Sequence, residues 1–303
     1  MTHRRSPLIA LAIAALTFAA CGGETSNPPA TQAKGNITVA GFNFSESSIL
    51  ASIYGKALAA KGYNVSYKLN LGNREIVQPA LFSGQIDLYP GYAATELEFI
   101  NKNKGEAGSD AQANVDKLNG YLKPQGAEAL TPSAANDENA FAVTQATASK
   151  DKLTKLSDLS PYASQMTLGG PPECPTRPYC QPGLEKTYGL KFKAFKSLDA
   201  GGPLTKNALS NGDIDIGLVF SSDGGIAAKN LTVLQDDKHL EAADNIVPVI
   251  RTKVANAEVT ALLNKIDAAL TQSDLVAMNK SADVDKQDPD ALAQNWVKQH
   301  GFA

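Results

Sequence analysis

The chain has 303 residues, 43% of them hydrophobic and 19% charged, with 31 acidic against 28 basic side chains and a net charge of −3. That balance supplies no basic patch of the kind nucleic acid requires, and no apolar run beyond the N-terminus reaches the ~20 residues that span a bilayer. Three histidines and three cysteines leave little for a histidine-based metal or catalytic centre.

At the N-terminus His3, Arg4 and Arg5 precede an apolar run from Leu8 to Ala20. This is the charged-then-apolar order of a secretory signal, and the run is too short to cross a membrane. It ends in Phe18-Ala19-Ala20-Cys21, which resembles the bacterial lipobox, with Phe18 where that motif prefers leucine. Residues 1–20 are therefore predicted to be cleaved and Cys21 to carry lipid, placing the protein on the extracytoplasmic face of the cell membrane. An ordinary signal beside an unrelated cysteine is the competing reading, and either one exports the protein. Gly22 to Gln32 is small and polar, so residues 21–35 are expected to act as a flexible tether ahead of a folded part beginning near Asn36. Without the signal, 26 basic residues (28 less Arg4 and Arg5) face 31 acidic ones, a net charge of −5.

From Ile37 to Ala303 about 267 residues remain, enough for a large core, and this length commonly divides into lobes of ~100–150 residues. Ile37-Thr38-Val39-Ala40 reads as a first strand. Phe44 and Ile49 flank Ser45 as a hydrophobic staple flanks an N-cap. Ile49, Leu50, Ile53, Tyr54, Ala57 and Leu58 then make one apolar helical stripe, closed by Gly62. Val65–Leu69 alternates as a second strand, and Ile76, Val77, Ala80 and Leu81 mark a second helix. A near-repeat follows: Ala80-Leu81-Phe82-Ser83-Gly84-Gln85-Ile86-Asp87 is echoed by Ala208-Leu209-Ser210-Asn211-Gly212-Asp213-Ile214-Asp215. Each copy reads as helix end, capping glycine and buried strand. One copy in each half supports two similar α/β lobes.

Strands at Met166–Leu168, Phe192–Phe195, Ile214–Phe220 and Leu231–Leu234 would build the second lobe. After a further strand at Ile246–Ile250 come helix-period segments at Glu258–Leu270, Asp274–Lys280 and Pro289–His300, with no partner strands of their own. The expected arrangement is residues 36–141 and 246–303 in the first lobe and 142–245 in the second, with crossovers near Phe141 and Asn245. Two lobes joined in this way can close on a ligand.

Apart from Cys21, the cysteines are Cys174 and Cys180, which an exported, oxidising setting favours joining. Free thiols or half of a zinc site are the alternatives, but zinc wants four ligands, and His239 and His300 lie far away in sequence. A Gly-x-Ser-x-Gly elbow, a P-loop and a Gly-x-Gly-x-x-Gly motif are all absent from the sequence. No cofactor, metal or catalytic residue is assigned, and the chain is expected to be a non-enzymatic monomer. Aromatic and polar residues do fall just after predicted strands, where open α/β sheets bind ligands.

Several segments, in order and spacing, carry a family resemblance. They are Phe44-Ser45-Glu46; Gly84-Gln85-Ile86-Asp87-Leu88-Tyr89-Pro90-Gly91-Tyr92-Ala93-Ala94-Thr95; Arg177 ahead of Gly183-Leu184 and Tyr188-Gly189; Ile214-Asp215 through Phe220-Ser221-Ser222-Asp223-Gly224; and Leu234-Gln235-Asp236-Asp237-Lys238. From about Ile37 to Arg251 the chain resembles the substrate-binding proteins of osmoprotectant ABC importers, the glycine betaine, choline and carnitine group. The resemblance implies an α/β type II periplasmic-binding-protein fold, a small solute as ligand, and a membrane permease with its ATPase subunit as partners.

In that family a quaternary ammonium sits in an aromatic cage, because ring faces attract a cation that cannot donate hydrogen bonds. The resemblance matches Tyr92 to a cage tyrosine, Thr95 to a hydroxyl on the carboxylate side, Arg177 to the second-lobe arginine and Asp137 to a cage-side aspartate. Phe220 stands where a second-lobe tyrosine is expected, Asn139 where a cage tyrosine is usual, and Phe42 near a place that often holds lysine. The resulting candidate ligand set is Phe42, Tyr92, Thr95, Asp137, Asn139, Arg177 and Phe220. It suits either a betaine or choline type solute or a larger flat or hydroxyl-rich one. A surface hydrolase using Asp137, Arg177 or the Asp236/Asp237 pair, and a purely structural lipoprotein, are the readings from other classes.

Overall fold

The computed structural model describes residues 34–303; the predicted signal, Cys21 and the rest of the tether up to residue 33 lie outside them. Two five-stranded sheets organise the chain. In chain order the first elements are β1 (Asn36–Ala40), α1 (Ser45–Ala60), β2 (Asn64–Lys68), α2 (Arg74–Phe82), β3 (Leu88–Tyr92), α3 (Ala93–Ile100), α4 (Ala111–Leu122) and β4 (Ala127–Ala129). Next come β5 (Asn139–Thr144), α5 (Gln145–Asp151), β6 (Thr167–Gly170), the single turn α6 (Gln181–Gly183), β7 (Ala194–Ser197), α7 (Pro203–Asn211), β8 (Ile216–Phe220) and β9 (Leu231–Leu234). Finally, β10 (Ile246–Arg251) is followed by α8 (Ala257–Ala269), α9 (Gln272–Asp283) and α10 (Pro289–Gln299).

The sheet orders are β2-β1-β3-β10-β4 and β7-β6-β8-β5-β9, so the two lobes share one plan. In each, three parallel strands meet a fourth that runs antiparallel. The near-repeat is the pivot of that plan. Gly84 (φ 77°) and Gly212 (φ 75°) end α2 and α7 in the left-handed region that glycine adopts without a Cβ clash. Three residues later the aspartates do the same work. Asp87 Oδ2 accepts the Thr38 N–H at 2.9 Å, and Asp215 Oδ2 accepts the Thr167 N–H at 2.7 Å, each stitching its strand to the neighbouring parallel one.

Helix α1 is buried along nearly all its length, Tyr54 and Leu58 included, because it packs between its sheet and α8, α9 and α10. Its start differs from expectation: Phe44 is the N-cap, with no side-chain capping bond, and Ser45 is the first helical residue. The hydroxyl that ties down this loop belongs to Ser47, whose Oγ accepts the Phe42 N–H at 2.8 Å. The C-terminal helices find their sheet through β10, which inserts between β3 and β4.

Strand β5 begins at Asn139, ahead of the expected lobe boundary at Phe141, because Asn139, Ala140 and Phe141 pair with Phe220, Val219 and Leu218 of the second sheet. The two connections between sheets run side by side just before it. Asn136 bridges Asn245, the Asp137 N–H donates to the Asp244 carbonyl at 3.1 Å, and Asn245 Nδ2 donates to the Ser133 carbonyl at 2.9 Å. This short paired segment has the form of a hinge between two separately packed cores.

Candidate ligand-binding site

The C-terminal ends of β1, β3, β6 and β8 and the start of β5 converge between the lobes on a cavity of about 300 Å³. Phe42, Tyr92, Thr95, Asp137, Asn139, Arg177 and Phe220 all line it. They reach it from five stretches of sequence: the turn after β1, the junction of β3 and α3, the hinge with the start of β5, the disulfide loop, and the end of β8.

The apolar wall is a continuous aromatic stack. Phe42 and Phe44 lie nearly parallel with centroids 6.0 Å apart, and Tyr92 stands 6.2 Å from Phe42 and 6.1 Å from Phe44. Phe44 also stacks on Phe220 of the other lobe at 5.9 Å. Phe42 is only 3% exposed, so most of its ring belongs to the first lobe's core. The guanidinium of Arg74 sits 5.5 Å above it, placing a positive charge behind the ring. Arg74 is held by Glu96 Oε1 at 2.8 Å and by Thr95 Oγ1 at 2.7 Å, so Thr95 spends an acceptor position on Arg74.

Beneath Tyr92 lies a buried acidic network. The Tyr92 hydroxyl donates to Glu46 Oε1 at 2.7 Å, and the Ser222 hydroxyl contacts both Glu46 Oε2 and Asp137 Oδ1. One hydroxyl hydrogen cannot serve two carboxylates, so one of the two carboxyls carries a proton and donates. Burial raises the pKa of Glu46 above the usual carboxylate range, and that of Asp137 well above it, with the Glu46 charge adding to the shift of Asp137. Asp244 caps α3, its Oδ1 accepting the N–H groups of Ala94 and Thr95 at 2.8 and 3.0 Å, and burial lifts its pKa to about 6.

The disulfide Cys174–Cys180 is formed and carries Arg177 at the middle of its loop. Arg177 Nη2 reaches across the cleft to both oxygens of Glu75, at 2.9 and 3.0 Å, with Glu173 Oε1 at 3.4 Å. Asn139 Nδ2 donates to the Tyr179 carbonyl at 2.7 Å and so fixes this loop against β5. Tyr179 itself lines the cavity. Phe44, Arg74, Glu75 and Tyr179 are therefore lining residues that the sequence reading left out. Phe44 and Tyr179 had a visible signal, since Phe44 opens the Phe44-Ser45-Glu46 motif and Tyr179 sits between Arg177 and Cys180. Arg74 and Glu75 had none, because only the fold brings the first turn of α2 to the cleft.

A second cavity of about 450 Å³ shares Phe44, Asp137 and Phe220 with the first and is lined with carboxylates. Most of these have structural duties. Asp199 and Asp288 bond to backbone N–H groups at the starts of α7 and α10, and Asp223 pairs with the buried Lys206 at 2.7 Å. Among the described residues there is no cluster of His, Cys, Asp and Glu able to hold a metal ion, and no helix long and apolar enough to cross a membrane.

A family model described as the substrate binding domain of ABC-type glycine betaine transport systems matches residues 35–299. The glycine betaine-binding protein YehZ of Escherichia coli is 28% identical over 268 residues, covering 85% of this chain and 88% of that protein. A glycine-betaine-binding protein of Pseudomonas aeruginosa is 28% identical over 277 residues, covering 87% of this chain and 88% of that one. Among solved structures, one described as a glycine betaine/carnitine/choline ABC transporter superposes with a TM-score of 0.69 at 24% identity, covering 88% of this chain and 98% of that one, which supports the fold. With its two pseudo-repeated α/β lobes and a match over nearly the whole described chain, the protein belongs to the family of substrate-binding domains of ABC-type glycine betaine transport systems and is a non-enzymatic binding protein.

Proposed function

We propose that the protein is an extracytoplasmic receptor that closes its two lobes on a small quaternary-ammonium solute and delivers it to a membrane permease driven by an ATPase subunit. The observation that carries this reading is the convergence of Phe42, Tyr92, Thr95, Asp137, Asn139, Arg177 and Phe220 on one cavity between lobes that meet at a paired hinge. The ring faces of Tyr92, Phe44 and Phe220 provide attraction for an organic cation, and the nearby carboxyls of Asp137 and Asp244 leave the floor of the cavity acidic. Lipid on Cys21 holds the receptor beside its permease, where the tether keeps its effective concentration high. The names of the relatives support a betaine-type solute. The hydrogen-bonding groups of Asp137, Asn139 and Tyr179 favour a hydroxyl-rich solute as the second reading.

Calorimetric titration with glycine betaine, choline and carnitine, beside a polyol and a phenol, separates these readings. The expected result is one-to-one binding of a quaternary ammonium compound, weakened about tenfold by Phe220→Ala, since each ring face contributes ~0.5–2 kcal/mol to holding a cation. Preferential binding of the polyol or phenol would transfer the cavity to the second reading. No binding by any of these solutes, or affinities unmoved by both Phe220→Ala and Tyr92→Leu, would overturn the receptor role. The anchor is checked separately: Cys21→Ser should move the protein from the membrane fraction to the soluble one.

A further inference from the structure

We propose that Glu75 determines which solutes this cavity accepts: by engaging Arg177 across the cleft, it makes the cavity select organic cations without a carboxylate over zwitterions that carry one. The proposal rests on the solute-receptor reading and deepens it. Its basis is the state of the two guanidinium groups in the cavity wall, the groups available to meet a solute's carboxylate.

Arg74 is 6% exposed and already committed, with Glu96 Oε1 on its Nε and Thr95 Oγ1 on its Nη2. Arg177 is matched from both sides. Glu75 on the first turn of α2 places both oxygens within 3.0 Å of Nη2, and Glu173, just ahead of the disulfide loop, stands 3.4 Å from the same nitrogen. One positive charge thus faces two negative ones. A carboxylate brought to this point meets no net positive potential, and it meets repulsion from Glu75 at close range. None of the other acidic side chains of the wall, Glu98, Asp137 and Asp244, supplies a positive charge to offset Glu75 and Glu173.

A hydroxyl is treated differently. No other nitrogen of the Arg177 guanidinium has a hydrogen-bond partner among the described residues, and a neutral oxygen can accept from these donors without displacing Glu75. A cation bearing a hydroxyl therefore satisfies both ends of the cavity, with its charge toward the rings and acids and its hydroxyl toward Arg177. As a fold-stabilising contact the Glu75–Arg177 pair is weak, since its side chains are 40% and 27% exposed. Its consequence lies in joining α2 of one lobe to the disulfide loop of the other at the mouth of the cavity, where it stands in for a ligand carboxylate.

The test is titration of glycine betaine and choline, as separate probes, into four proteins: wild type, Glu75→Gln, Arg177→Gln and the double variant. Wild type should prefer choline. Glu75→Gln should raise betaine affinity about tenfold, the scale of a partly screened charge contact, without raising choline affinity, so the choline-to-betaine ratio should fall by tenfold or more. In the double variant the betaine gain should vanish, because without Arg177 there is nothing for Glu75 to mask. Thermal melts confirm that the exposed substitution leaves the fold intact. A choline-to-betaine ratio that Glu75→Gln leaves unchanged, or a wild type that prefers betaine, overturns the role of Glu75 alone. Binding of neither probe to any of the four proteins overturns the receptor reading and this proposal with it.

Discussion

Gly224→Ala is expected to prise the lobes apart and to lower solute affinity by tenfold or more, although residue 224 does not line the cavity. The turn after β8 lies directly against α9, and a Cβ at Gly224 would stand 2.5 Å from the Val276 carbonyl oxygen, 2.5 Å from Lys280 Cβ and 2.8 Å from Lys280 N. Two of those are backbone atoms of a helix and cannot swing aside as the end of a long side chain would. The turn itself is stiff, since Asp223 holds both Lys206 Nζ and the Gly225 N–H. Relief must come from moving the turn, with the lobe behind it, away from α9.

That displacement breaks a particular set of bonds. Asn279 Nδ2 donates to the Ser222 carbonyl at 3.1 Å, the Ser222 hydroxyl contacts Glu46 at 2.7 Å, and Phe220 stacks on Phe44 across the cleft. Overpacking of this kind costs roughly 1–3 kcal/mol, so a fall in Tm of several degrees should accompany the loss of binding. Small-angle scattering should show a larger radius of gyration with or without solute. An unchanged radius and unchanged affinity would mean that the turn yields by itself and that the lobes are not wedged.

Much of this fold was legible because its signals are local. The periodicity of α1, the alternation in β2 and the paired helix–glycine–strand units depend on neighbours within a few residues, and the structure has them within a residue or two. The position of β5 was not legible: Asn139-Ala140-Phe141 becomes a strand because Phe220, Val219 and Leu218 supply its partners from far along the chain. The same division runs through the cavity. Tyr92 and Arg177 stand in recognisable motifs, whereas Glu75 and Arg74 enter through the angle at which α2 meets the cleft. Nor does the sequence tell that Thr95 and Asn139 are already engaged, by Arg74 and by the Tyr179 carbonyl, since those partners are distant in sequence or belong to the backbone.

Stability should fall as pH rises above about 4, the unfolded carboxyl value, and Asp267→Asn should flatten that fall. The buried carboxyls share one direction. Burial raises the pKa of Asp267 and Asp137 well above the carboxylate range, raises that of Glu46, and lifts Asp244 to about 6. A carboxyl with a raised native pKa binds its proton more tightly in the folded than in the unfolded chain. Its contribution is therefore fully present below the unfolded value of about 4 and is lost as pH rises through the native value. For Asp244 that window runs from about 4 to about 6, and two pKa units correspond to roughly 3 kcal/mol. The groups with lowered pKa, Asp158, Asp237 and Glu258, act oppositely, but they lie at the surface, where solvent screens their contribution.

Asp267 isolates the effect because it lies in the first lobe's core, away from the cavity. It is 1% exposed, accepts the Tyr54 hydroxyl at 2.7 Å on Oδ1, and has no partner on Oδ2. Ionising it strands a charge with a single donor, whereas the neutral form keeps the same bond. Asparagine retains an acceptor for Tyr54 and cannot ionise, but it adds amide hydrogens with nowhere to go. The variant should therefore be no more stable than wild type at pH 4 and more stable at pH 8.5. Urea midpoints measured across that range give the comparison directly. Parallel pH profiles for the two proteins would show that Asp267 does not gain its proton on folding.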